Sequence, residues 1–134
     1  MLVDPQGEVY IISKVNGSPA KAAHLPRSGW NSGTVVFLTN WISLTFSTHH
    51  PDPTGGDLSP NGRELLVVSH GKMRYWYISN GNVLSALSRS PTEVPYHNEG
   101  QGEAVCWDAS GQGYFTLAEG KNQPLYYYSR LHLK

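Results

Sequence analysis

The sequence predicts an all-β fold built from a repeated strand-turn-strand unit. Two observations lead there. Across 134 residues there are fourteen glycines, nine prolines, eight tyrosines and four tryptophans, while only 15% of residues are charged. That is the composition of many turns joining aromatic-rich strands, and no long helical periodicity accompanies it. The second observation is one element met three times. Val3-Asp4-Pro5-Gln6-Gly7 leads into Glu8–Ser13, Leu58-Ser59-Pro60-Asn61-Gly62 into Arg63–Val68, and Trp107-Asp108-Ala109-Ser110-Gly111 into Gln112–Leu117. In each, an apolar residue precedes a polar turn ending in Gly, and an apolar strand returns. Pro or Ala sets the start of the turn, Asn or Ser tolerates its middle, and Gly takes the positive φ that closes the hairpin.

A second hairpin follows in each repeat. Asn16-Gly17-Ser18-Pro19 turns the chain into Ala20–Leu25, and His70-Gly71-Lys72 turns it into Met73–Ile78. Glu119–Pro124 leads into Leu125–Tyr128. Thr34–Phe46 supplies two further short strands around Asn40-Trp41. Val83–Ser88 forms one helical turn before Pro91, and Pro51-Asp52-Pro53 is a rigid connector. Gly7 and Gly62 lie 55 residues apart and Gly62 and Gly111 lie 49 apart. Hairpin repeats with a period near fifty are the mark of propeller blades. The prediction is therefore one domain over residues 1–134, a β-propeller segment of about three four-stranded blades, with repeats at about 1–53, 54–102 and 103–134. A β-sandwich with three similar hairpins is the alternative. Because propellers typically need about four to eight blades, the ring would be incomplete. Its open strand edges call for further blades, from the same precursor or from other copies of the chain.

Several function classes are disfavoured. Ten basic and ten acidic residues give no net charge, so the basic excess usual in a nucleic-acid binder is missing. No apolar run is long enough to span a membrane. The opening Met1–Lys14 does not read as a signal peptide but as the middle of a folded unit, so the chain is expected to be cut from a longer precursor or to be a partial sequence. Cys106 is the only cysteine, and its apolar neighbours Val105 and Trp107 suggest a buried, inert thiol. Nucleophile elbows, phosphate loops and paired-cysteine motifs do not occur.

The segment Thr54-Gly55-Gly56-Asp57-Leu58-Ser59-Pro60-Asn61-Gly62 resembles the TGGDxSPDG opening of blades in secreted bacterial and invertebrate β-propeller proteins. Val3–Lys14, Gly100–Val105 with Gly113-Tyr114, and Asn122–Tyr128 are similar as well. The likeness covers most of the chain apart from about residues 27–50. It departs at Asn61, where Asp is usual, and in lacking N-terminal blades. It implies a fold and an extracellular setting more than an activity.

In a propeller the innermost strand of each blade lines the central channel, and Thr54–Leu58 and Glu103–Trp107 are the candidates here. Aligning the turn glycines sets Thr54 opposite Glu103 and Asp57 opposite Cys106. Glu103, and less so Asp57, are the candidate metal ligands, since calcium takes several oxygen ligands converging from different strands. A carboxylate satisfying nearby backbone N–H groups is the competing role for both. His49 and His50 are adjacent, so on a strand they would face opposite ways, and a solvated connector suits them better. His24, His70, His97 and His132 show no zinc-ligand spacing. Tyr75-Trp76-Tyr77 and Tyr126–Tyr128 are expected to pack between blades rather than to stack a ligand. Asn16-Gly17-Ser18 matches an N-glycosylation site.

The expected function is an extracellular binding or structural module without evident catalysis, because a convergent catalytic set is lacking. The alternative is a calcium-dependent phytase-like or lactonase-like propeller hydrolase. A scaffold of Trp-Asp repeats ranks third, because Trp107-Asp108 does not recur.

Overall fold

The structure, a computed structural model, describes residues 1–14, 19–44, 53–69 and 71–130. Asn16-Gly17-Ser18, His49, His50, Asp52, His70 and His132 lie outside the described residues. The fold is all-β, in three antiparallel sheets taken in chain order. The first holds β1 (Leu2–Val3), β2 (Val9–Ile12), β3 (Lys21–Leu25) and β4 (Trp41–Ser43). The second holds β5 (Gly55–Leu58), β6 (Glu64–Ser69), β7 (Lys72–Tyr77) and β8 (Thr92–Val94). The third holds β9 (Gly102–Trp107), β10 (Gly113–Ala118) and β11 (Tyr126–Ser129). Within each sheet every strand pairs with the next, so each is a simple meander.

The repeated turn folds alike all three times. The N–H of Gly7, Gly62 and Gly111 donates to the carbonyl of Asp4, Ser59 and Asp108 respectively. All three glycines sit at φ between 69° and 79°, which a side chain would strain. The side chains of Asp4, Ser59 and Asp108 each accept from the backbone where the returning strand begins. This is the local competition for backbone groups that suits short polar residues to turns.

The middle sheet is covered on both faces, and β6 is buried along its whole length. Alternation on the pleat sends Leu65 and Val67 one way and Leu66 and Val68 the other. Leu65 and Val67 join Leu2, Tyr10, Ala22, Leu44, Leu58 and Trp76 in a core against the first sheet. Leu66 and Val68 join Met73, Val105, Trp107 and Tyr114 in a second core against the third sheet. The short helix α1 (Val83–Leu87), capped by Asn82, closes the first core through Val83, Ala86 and Leu87. Along one edge of this stack β1 lies against β5, and β5 against β9.

Four expectations need correction. Cys106 is exposed, because its neighbours Val105 and Trp107 both point into the second core and alternation turns Cys106 to the outer face. Apolar flanks on a strand therefore argue against burial of the residue between them. The stretch 34–44 holds one strand, β4, while Val35 and Phe37 stand 81% and 85% exposed on irregular backbone. A strand at Thr92–Val94, unforeseen between Pro91 and Pro95, closes the second sheet. The third sheet has three strands among the described residues, where four were expected.

The aromatic runs split by parity. Trp76 enters the first core and Tyr75 packs against the second, while Tyr77 is exposed. Tyr128 stacks on Tyr114 with ring centroids 4.9 Å apart, and Tyr127 stays exposed beside Phe115.

Candidate functional site

Asp57 and Glu103 stand on adjoining edge strands, β5 and β9. The side chain of Asp57 is consumed by backbone. Its Oδ2 accepts the Trp107 N–H across the gap between sheets at 2.8 Å, and its Oδ1 accepts the Leu58 N–H at 2.9 Å. Burial raises its pKa over the opposing pull of those two N–H groups. Thr54 adds a parallel tie, its hydroxyl donating to the Gly102 carbonyl at 2.7 Å. Gly55 is required between them, since a Cβ there would come 2.6 Å from the Glu103 carbonyl oxygen.

The side chain of Glu103 turns to Lys14, 3.6 Å away, with both groups well exposed. Such a pair contributes little. Among the described residues no group of three or more His, Cys, Asp or Glu side chains comes together. Calcium takes about six to eight oxygens. A clamped Asp57 and a salt-bridged Glu103 do not fit such a cage on their own. The small cavity at this end of the stack, about 60 Å³, is lined by Met1, Leu2, Ile12, Pro53, Thr54, Gly55 and Gly56, and neither Asp57 nor Glu103 is among these residues.

A larger cleft of about 360 Å³ opens elsewhere, lined by Tyr10, His24, Asn40, Asn80, Gly81, Asn82 and Leu84. Tyr10 and His24 are cross-strand partners on β2 and β3, their rings 5.2 Å apart. Opposite them is the turn before α1, where Gly81 at φ 70° bends the chain. In that turn Asn80 Oδ1 accepts the Asn82 N–H at 3.2 Å, and Asn82 Oδ1 accepts the Ser85 N–H at 2.9 Å. Both amide oxygens are engaged by backbone, which leaves both NH₂ groups as the free ends.

Behind the cleft, Glu8 Oε2 lies 2.7 Å from His24 Nε2, and Glu8 Oε1 accepts from Arg27 Nε at 2.8 Å. The His24 bond first, and Arg27 after it, hold the Glu8 carboxyl below the usual carboxylate range despite some desolvation. An ionised carboxylate only accepts, so the bond assigns the His24 proton to Nε2. In the neutral ring Nδ1 is then an acceptor. No pattern in the sequence marks this cleft: Asn80-Gly81-Asn82 reads as a turn and His24 as an isolated histidine. The strand register and the packing of α1 on β3 bring them together.

Among the described residues no helix is long and apolar enough to cross a membrane. No protein-family model matches the chain, and no curated protein is similar to it in sequence.

Proposed function

We propose that the three sheets are consecutive blades of a β-propeller and that the chain serves as a binding or structural module, set outside the cell, rather than as an enzyme. The observation that carries this reading is the succession of edge strands: β1 adjoins β5 and β5 adjoins β9, while the sheets stack face to face in chain order. That is how inner strands line a propeller axis. The repeated turns support it, since Pro5 packs beside Gly62 and Pro60 beside Gly111, each turn against the next. The end sheets have apolar residues left uncovered, Val3 and Trp41 on the first and Cys106, Leu117 and Tyr127 on the third. Further blades, from the same precursor or from other copies, would cover them and close the ring.

The extracellular setting rests on the resemblance of the Thr54–Gly62 motif. The non-catalytic reading is supported by what the candidate carboxylates do, since Asp57 is tied to backbone at both oxygens. The test is turnover of a panel of phosphate esters and lactones, with and without added calcium. The expected result is no rate above buffer in either case. Calcium-dependent turnover that disappears in Glu103→Ala would sink the proposal in favour of a hydrolase.

A further inference from the structure

The cleft between the first sheet and the turn before α1 has a lining that selects a chemical class. Asn80 and Asn82 have their carboxamide oxygens engaged, so each offers NH₂ donors to whatever enters. His24, its Nε2 held by Glu8, has Nδ1 as its remaining polar ring atom. Tyr10 and Leu84 supply apolar surface, and Asn40 adds a further amide at the rim. Among the described residues the cleft lining has no carboxylate, lysine or arginine to balance a charged ligand. Its volume, about 360 Å³, is at the small end of the range that ligand pockets occupy, about 300–1,000 Å³.

Fixed amide donors, a ring nitrogen and an apolar patch in one cleft match a ring that carries hydroxyls, which both donate and accept, on its rim and C–H groups on its face. We infer that the Tyr10–His24–Asn80–Asn82 cleft binds an uncharged sugar ring. The inference rests on the reading of the chain as a binding module and names the ligand class of that module. It does not depend on how many blades complete the ring.

The test uses the methyl glycosides of glucose, galactose, mannose and N-acetylglucosamine, titrated into isotope-labelled chain and followed by two-dimensional NMR. At least one glycoside is expected to bind with millimolar affinity and to move the side-chain NH₂ signals of Asn80 and Asn82 together with the His24 ring signals. Calcium chloride and inorganic phosphate, as charged probes, should leave those signals in place. The double variant Asn80→Ser, Asn82→Ser keeps a side-chain oxygen for the turn and the helix cap but removes both amide donors. It should weaken binding about tenfold, the scale of two neutral hydrogen bonds, with an unchanged thermal midpoint.

If no glycoside moves the cleft signals, the inference fails. If one binds equally well to the double variant, the cleft is again refuted while a binding module with its site elsewhere survives. Turnover in the phosphate-ester and lactone assay would overturn the module reading separately. Should the double variant lose stability, Asn40→Trp, which fills the rim from an exposed position, is the second variant, and undiminished binding in it would equally refute the cleft.

Discussion

The two junctions between sheets are built by different means. The junction of the first and second sheets is almost wholly apolar: aliphatic side chains around Trp76 and Tyr10, sealed by α1. The junction of the second and third sheets has fewer buried aliphatics and more aromatic rings, with Trp107 edge-on to Tyr114 at 5.9 Å. It also carries polar ties between the sheets. Asp57 reaches Trp107, Thr54 reaches Gly102, and Arg130 on the third sheet makes a two-point contact with the buried Glu64 of the second, at 2.9 and 3.1 Å. Tyr75 donates to the same carboxylate at 2.9 Å.

The cause is legible in β5. Gly55, which faces β9, brings no side chain to the junction, so the strands approach closely and directional bonds form beside the packing. Hydrophobic contact tolerates sliding, whereas a carboxylate aimed at one N–H fixes the register. The first junction therefore supplies more buried apolar area, and the second supplies alignment.

Substitutions separate the two. The largest losses should come from truncating the rings and chains at the centre of each core. Tyr114→Ala empties a fully buried site that also donates from its hydroxyl to the Pro95 carbonyl, and should cost about 3–5 kcal/mol in urea unfolding. Leu65→Ala on the other face should cost about 2–5 kcal/mol. Next comes Arg130→Ala, which leaves the buried Glu64 carboxylate with the Tyr75 hydroxyl but without its counter-charge. Removing one partner of a fully buried pair costs about 3–5 kcal/mol, and with the guanidinium 42% exposed the expectation is about 2–3 kcal/mol. Asp57→Ala leaves the Trp107 and Leu58 N–H groups without their acceptor, for about 1–3 kcal/mol. Thr54→Val removes a single hydrogen bond, at about 0.5–1.5 kcal/mol. If the polar substitutions cost nothing while Leu65→Ala costs its full share, the contrast between the junctions is wrong.

Alkaline pH should also distinguish them. Burial first, and then the bond to Glu64, push the Tyr75 hydroxyl up to about 12, and burial, with Glu99 nearby, pushes Tyr96 up to about 12. Burial raises Tyr114 further still. All three belong to the second junction, whereas in the first core burial raises Tyr10. A phenol with a raised folded-state pKa favours the folded state in full below its ordinary value of about 10. That contribution is lost as pH rises from about 10 towards 12. Between those limits, phenolate absorbance and fluorescence of Trp107 in single-tryptophan variants should report the second junction loosening before Trp76 reports the first.

Much of this architecture was readable in the sequence, for identifiable reasons. The three Gly-ended turns have local chemistry that any register preserves, so Gly7, Gly62 and Gly111 announced their hairpins. The long apolar strands β6 and β10 did likewise. β8 was missed because three residues between two prolines carry no pattern. The exposure of Cys106 runs against its apolar flanks because alternation, not the character of sequence neighbours, governs burial on a strand. The role of Asp57 was only half visible: its self-capping bond to Leu58 is local, but the bond to Trp107 spans fifty residues and exists only once the sheets stack. The cleft was invisible for the same reason, its lining coming from β2, β3, Asn40 and the Asn80–Leu84 segment.

The central claim is that the edge strands converge, with β5 tied to β9 through Asp57. Hydrogen exchange at the Trp107 amide tests it most directly, because β9 is an edge strand whose N–H would otherwise be open to water. The account predicts strong protection of that amide in the native chain and its selective loss in Asp57→Ala, with the β6 amides still protected. A Trp107 amide that exchanges freely in the native chain, or that keeps its protection in Asp57→Ala, would contradict it.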